Sequence, residues 1–168
     1  YQSYVLTVRV RDALADALFW DDDDPYHYTR LASSGDAHLL IVGGADHKTG
    51  QADERQHFQQ LADYCHRRFE VQQIQQQWSA EFFEPADGVP YIGRVPLTEH
   101  LYLGTGYSGT GLTYGTLAGM LLADLVLDRA AAGAEVFSPS RLKPLAAAAE
   151  LVSENLNAAR RFVTDRFA

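Results

Sequence analysis

The chain is poor in most of the residues that would make its chemistry obvious. It has one cysteine, Cys65, in 168 residues. A single thiol makes no intrachain disulfide and supplies no multi-thiolate zinc or iron–sulfur site, so a reducing, cytoplasmic setting fits it best. Basic residues are scarce: 14 Lys and Arg against 22 Asp and Glu leave a formal charge of -8. That balance gives no electrostatic footprint for a phosphate backbone and excludes nucleic acid as an expected partner. Long apolar runs are missing too. The longest, Leu117 to Val126, is broken by Asp124 and falls short of the roughly 20 residues that a membrane span needs. Residue 1 is Tyr, without an initiator Met or a basic-then-apolar leader, and reads as the start of a cut piece of a longer protein. At 46% hydrophobic and 21% charged, the composition excludes disordered and fibrous classes and suits one ordinary globular domain.

The residues present organise into recognisable elements. Residues 3–10 alternate with β-branched content and predict a strand. Around Asp23, Asp24 and Pro25, the aromatics Phe19, Trp20, Tyr26 and Tyr28 predict a hairpin. Leu39 to Val42, stopped by two glycines, reads as a strand buried on both faces. Asp53, with Gln56 three residues on, resembles a capping box, and Phe58, Leu61, Cys65 and Phe69 recur at helical spacing, so residues 54–68 predict an amphipathic helix. Between 71 and 83, Val71, Ile74 and Trp78 fit either period, and a strand is preferred. After the turn at 84–93, a short strand runs into the glycine-rich segment 104–116 and then a helix. Beyond Gly133, FSPSRLKP is an irregular connector. Pro144 suits the first turn of a terminal helix whose seam is Leu145, Ala149, Val152, Leu156, Ala159 and Val163. So short and alanine-rich a seam favours packing on its own domain over an interchain coiled coil.

The glycine segment carries the strongest hint of chemistry. Glycines let a backbone approach a ligand closely, and a helix starting near Leu112 points free N–H groups and its positive end at whatever sits in the loop. An anionic or carbonyl-bearing ligand is expected there, although a glycine loop before a helix serves equally as a tight turn. It is not a P-loop, lacking the lysine, and it does not follow the dinucleotide fingerprint. Gly115, Gly119 and Ala123 lie four apart on one helix face and suit close packing against another layer. Asp21 to Asp24 read as a solvated turn and the six histidines show no ligand spacing, so no metal site is expected. Cys65, on an apolar helix face, reads as inert.

Four segments, IVGGADHKTG (41–50), WSAEFFEPADGVPYIGR (78–94), LYLGTGYSGTGLTYGTLAGMLLADLVL (101–127) and FSPSRLKP (137–144), together resemble the C-terminal half of FAD-dependent oxidoreductases of the D-amino-acid oxidase and glycine oxidase superfamily. WDDDDPYHYTRL, GGADHKTG and the helical tail look most like the branch in which a Rieske iron–sulfur domain follows the flavoprotein part. The resemblance implies an α+β chain: residues 1–100 as part of a substrate-binding antiparallel or mixed sheet domain with a covering helix, 101–136 as the last strand, loop and helix of a flavin domain, and 137–168 as connector and long terminal helix.

It further implies that Gly106, Tyr107, Ser108, Gly109, Thr110, Gly111, Leu112 and Thr113, with Gly93, lie against FAD. Tyr28, His47, Trp78 and Tyr91 become candidates for the substrate pocket, and His47 the candidate catalytic residue. In the parent protein, hydride would pass from a C–H or amine substrate to FAD, with onward transfer to a 2Fe-2S centre a further option. Two departures bear on this. The arginine that holds a substrate carboxylate in glycine oxidases, four residues after the tryptophan, is Phe82 here, which puts amino-acid oxidation in doubt. The N-terminal GxGxxG and the Cys–His pairs of a Rieske centre are absent, so the expected partners are a small-molecule substrate and a missing N-terminal FAD-binding domain, and the piece alone is expected to be inactive. The small-residue helix face and an exposed sheet edge favour association, so a homo-oligomer is also among the expectations. The rival readings are a stand-alone protein-interaction module without redox activity and, more weakly, a hydrolase using His47.

Overall fold

The computed structural model describes residues 1–33, 35–141, 152–160 and 162. The chain divides into two compact units, Tyr1–Phe82 and Phe83–Ala168.

The first unit is built on β1 (Gln2–Val10), β2 (Phe19–Trp20), β3 (Tyr28–Leu31), β4 (Leu39–His47), α1 (Glu54–Arg68) and β5 (Val71–Glu81). The strands form one sheet in the order β2-β3-β4-β1-β5, and every pairing is antiparallel. β1 is central because it is apolar on both faces. Tyr4, Leu6, Val8 and Val10 are buried toward α1, while Val5 and Thr7 are buried on the opposite side. Leu40 and Val42 of β4 join the first set, and α1 adds Leu61, Tyr64 and Cys65. Fully burying each such aliphatic or aromatic side chain contributes about 1.5–3 kcal/mol, which is what holds helix to sheet. Asp53 starts α1 by accepting a hydrogen bond from the Arg55 N–H at 2.9 Å. His66, Arg67 and Arg68 place positive charge at its C-terminal end.

The ambiguous spacing of β5 has a structural cause. Its register against β1 slips between Thr7 and Val8 and again between Arg9 and Val10. Gln75 and Gln72 are the extra residues of two bulges, so Ile74 and Val71, three apart, both face the core opposite Val8 and Val10. Trp78, opposite Val5, points to the other face.

The second unit holds a hairpin of β6 (Tyr91–Arg94) and β7 (Tyr102–Thr105), then α2 (Gly111–Val126) and a short α3 (Ala134–Phe137). Ile92, Ala118 and Leu121 form its small core, flanked by Tyr107, Leu117, Leu122, Ala131, Ala134 and Phe137. The pairing of β6 with β7 puts residues 91–94 in the same compact unit as α2. α3 occupies the first part of the stretch expected to be irregular. Residues 152–160 and 162 are helical, with Val152 and Leu156 exposed; the expectations for Pro144, Leu145, Ala149 and Val163 lie outside the described residues. Among the described residues, no helix is long and apolar enough to cross a membrane.

Candidate functional site

In the second unit, β7 hands the chain to α2 through a tight loop. Gly106 and Ser108 both have positive φ, 76° and 50°. The Ser108 N–H donates to Phe83 O at 3.1 Å, and the Thr110 N–H to Tyr107 O at 3.0 Å. Thr110 stands at the N-cap, the position from which a hydroxyl ordinarily satisfies the first turn. Its hydroxyl instead donates back to Tyr107 O at 2.9 Å, and no side chain caps the helix. No acidic residue occupies that first turn. Gly111, Leu112 and Thr113 are exposed, and a Cβ added at Gly111, Gly115 or Gly119 would meet nothing within 4 Å. Among the described residues, the positive end of α2 thus has no side-chain cap and no acidic residue in its first turn, a donor set suited to an anionic or carbonyl oxygen.

The second unit is also pinned by a buried ion pair between two residues far apart in the sequence. The Arg141 guanidinium donates to both oxygens of Asp87, each at 2.8 Å, and the two side chains are about 5% and 4% exposed. It also donates to the carbonyls of Pro90 and Phe137 at 2.8 and 3.2 Å and to that of Val89, and lies 3.8 Å from the centre of the Tyr91 ring. Tyr91, a candidate for the substrate pocket, is therefore engaged as the platform for this cation. Gly93, in β6 opposite Leu103, packs near Pro139.

In the first unit, directly paired residues carry one row of side chains across the whole sheet face opposite α1. Trp78 pairs with Val5, Val5 with Gly43, Gly43 with Tyr28 and Tyr28 with Trp20. The ring and hydroxyl of Tyr28 lie over Gly43, where a Cβ would collide with them. Tyr28 and Trp78 are thus brought onto one face, with Tyr26 beside Tyr28 at a ring separation of 6.4 Å.

His47 is not part of that group. It pairs with Gln2, and its Nε2 lies 2.8 Å from the hydroxyl of Tyr4, on the α1 side of the sheet. Its Nδ1 lies 2.7 Å from Lys48 O. A carbonyl only accepts, so Nδ1 carries the hydrogen and, in the neutral ring, Nε2 accepts from Tyr4. The ring also packs against His57 at 4.2 Å, and His57 Nδ1 in turn meets Ala45 O at 2.8 Å. Both nitrogens of His47 are committed to structure, and the candidate catalytic histidine stands on the opposite side of the sheet from Tyr28 and Trp78.

The residue that the sequence reading missed is its neighbour. Ala45 has φ 57°, and the register of β4 against β1 is irregular between Gln2 and Tyr4. Ala45 drops into the core, while Asp46 is half-buried and its Oδ1 has no hydrogen-bond partner among the described residues. Burial pushes the Asp46 carboxyl up from its ordinary range, against the opposing effects of Ser3 and His27.

Asp21 and His27 close the β2–β3 turn. The His27 N–H donates to Asp21 Oδ1 at 2.7 Å, His27 Nδ1 lies 3.2 Å from Oδ2, and the His27 ring stacks on Tyr64 at 4.0 Å. Asp23 brings a third ligand-type atom within 4.8 Å, but Asp21 and His27 are spent on each other. Burial opposes ionisation of Asp21, yet the His27 N–H and the Tyr64 hydroxyl outweigh it and hold the carboxyl below its ordinary value. A depressed folded-state value stabilises the fold above the unfolded value of about 3.9, and that contribution is lost as pH falls through the folded value. Stability followed by urea midpoint should therefore fall on acidification below about pH 4, and Asp21→Asn should flatten that limb. An unchanged slope would remove Asp21 from the account. Cys65 is fully buried, and burial pushes its thiol up to about 12.

The model of the FAD-dependent oxidoreductase family known as DAO matches residues 1–125, and the chain belongs to that family. FAD is the cofactor that membership implies. Over 166 residues the chain is 25% identical to YhfW of Bacillus subtilis (strain 168), provisionally named as a Rieske 2Fe-2S iron-sulfur protein, covering 96% of this chain and 32% of that protein. Its fold is similar to that of iminodiacetate oxidase (IdaA) from Chelativorans sp. BNC1, with a TM-score of 0.64 at 18% identity, covering 82% of this chain and 38% of that one. It is also similar to glycine oxidase from Geobacillus kaustophilus, with a TM-score of 0.61 at 22% identity over 84% and 39%. The chain thus spans about a third of the curated relative and under two fifths of either oxidase.

Proposed function

We propose that this chain supplies the substrate-facing sheet and the flavin-facing loop and helix of an FAD-dependent oxidoreductase. FAD, when bound, accepts a hydride from a C–H or amine substrate. The observation that carries the reading is the uncapped N-terminus of α2 behind the loop from Gly106 to Thr110. In this reading the N–H groups of Gly111, Leu112 and Thr113, with Tyr107, Ser108, Gly109 and Gly93, would hold the flavin and supply hydrogen-bond donors to its oxygens. A positive helix end placed where negative charge collects on reduction favours the reduced state without the intervention of any side chain. The residues opposite α1, Tyr28 and Trp78 first among them, orient the substrate, a small molecule. The remaining FAD contacts come from an N-terminal domain outside this chain, and the chain alone is inactive. The likeness to YhfW supports a Rieske 2Fe-2S centre elsewhere in the whole protein as the onward electron acceptor.

Gly111 gives a direct test, because its added Cβ would meet nothing within 4 Å. Gly111→Leu in the full-length protein should leave folding intact and lower FAD content, read as absorbance near 450 nm per polypeptide, at least tenfold, as should a bulky residue at Gly109 (order-of-magnitude expectations for losing a charge-complemented contact). Unchanged flavin occupancy in both variants would overturn the loop assignment.

A further inference from the structure

The glycine loop before α2 is held in place from outside itself. Its Ser108 N–H donates to Phe83 O, and Gly106 lies so close to the Pro85 ring that a Cβ there would stand 2.7 Å from Cγ. Pro85 in turn opens a tight turn: the Gly88 N–H donates to Pro85 O at 2.9 Å, and the Val89 N–H donates to Asp87 Oδ1 at 3.3 Å. Asp87 is the carboxylate that Arg141 grips with two bonds, and the same guanidinium donates to the carbonyls of Val89 and Pro90. On its other side Arg141 donates to Phe137 O and Ser138 O, at 3.2 and 3.4 Å. The Phe137 ring meets Tyr114 edge-on at 6.5 Å, and Tyr114 stacks on Tyr107 at 6.3 Å. Tyr107 belongs to the loop, and its hydroxyl lies over Gly104, where a Cβ would collide with it.

One side chain thus ties together the two segments that support the loop, one reaching it through Phe83 and Pro85 and the other through Tyr107. Such support matters because hydrogen-bond donors stabilise developing charge only when they are held in place beforehand, and a misplacement of about 1 Å can cost about a hundredfold. A guanidinium that is about 5% exposed, with its donors in a fixed planar fork, has little freedom to let the two segments drift. We propose that Arg141 and Asp87 are positioning residues: by fixing the 83–91 segment and Phe137 they set the conformation of the loop from Gly104 to Thr110, and with it the placement of the first N–H groups of α2. That those groups face flavin rests on the reading above; the mechanical link to the loop does not.

The test uses three variants of the full-length protein, with hydrogen–deuterium exchange, FAD dissociation and urea midpoint measured on each. Arg141→Lys cuts the link at the clamp, and Pro85→Ala cuts it at the loop while leaving the ion pair whole. Leu121→Ala weakens the core of the same unit without touching either end. In Arg141→Lys and Pro85→Ala, exchange in the peptide carrying Ser108 and Thr110 should quicken about tenfold more than exchange over the middle of α2, and FAD should dissociate about tenfold more readily. Leu121→Ala should quicken loop and helix alike and keep its FAD better than Arg141→Lys does at an equal loss of urea midpoint. If Leu121→Ala instead loosened the loop and released FAD as much as Arg141→Lys at that equal loss, the ion pair would be a structural tie only and the proposal would fall. Loop exchange unmoved by Pro85→Ala would overturn it as well, whether or not Arg141→Lys folds. Selective loosening of the loop in a protein that holds no FAD would uphold the link and overturn the flavin reading.

Discussion

Alanine in place of Asp87 is expected to lower the unfolding free energy by about 3–5 kcal/mol, the cost of leaving a buried charge without its partner. The guanidinium of Arg141 is about 5% exposed and cannot recover water when the carboxylate goes. Its donors to the carbonyls of Val89, Pro90 and Phe137 remain, but carbonyl dipoles do not replace a full counter-charge. Arg141→Lys should also destabilise, because an ammonium cannot form the two parallel bonds to Asp87 or lie flat on Tyr91. Urea denaturation followed by far-ultraviolet circular dichroism measures both. A loss below about 1 kcal/mol for Asp87→Ala would mean that the pair behaves as a solvated surface bridge and is not what ties the 87–91 turn to the segment after α3.

The second large effect is expected at Gly44. Its φ of 140° is closed to side chains, and a Cβ there would stand 2.6 Å from Tyr26 O and 2.9 Å from the His27 ring. Neither neighbour can yield: the Tyr26 carbonyl is backbone, and His27 is held by Asp21 and Tyr64. Strain and overpacking together put the cost of Gly44→Ala at about 2–6 kcal/mol. The same change at Gly115, where a Cβ meets nothing within 4 Å, should be neutral or slightly stabilising in the chain as described. Paired thermal melts of the two variants decide between these costs, and equal melting temperatures would sink the assignment of strain to Gly44.

Periodicity and helix caps made the regular parts of the fold legible in the sequence. α1 could be read to within a residue because Asp53 caps it and Leu61 and Cys65 recur on one face. β1 and the hairpin of β2 and β3 were readable from alternation and turn chemistry. The difficulty at β5 was physical: two bulges break the period of two and leave Val71, Ile74 and Trp78 at spacings of three and four that a helix would give as well. The same kind of irregularity concealed the side on which His47 stands. A one-residue change of register exchanges the faces of a strand, and beyond the irregularity near Ala45 His47 stands with Tyr4, away from Tyr28 and Trp78. Arg141 and Asp87 both lie in segments that carried the family resemblance, but their pairing was not legible because the two are more than fifty residues apart. The flavin assignment came from the order of motifs and a family resemblance, with the dipole of α2 as independent physical support.

Cys65 closes a different circle. It is the chain's one thiol, sealed between α1 and the sheet and held protonated far above neutral pH. Reagents that attack thiolates cannot reach it while the helix stays down, so each molecule labelled records a moment when α1 had lifted. The first unit therefore contains its own clock: the pace of labelling measures how often its interior opens, without any probe having to be introduced.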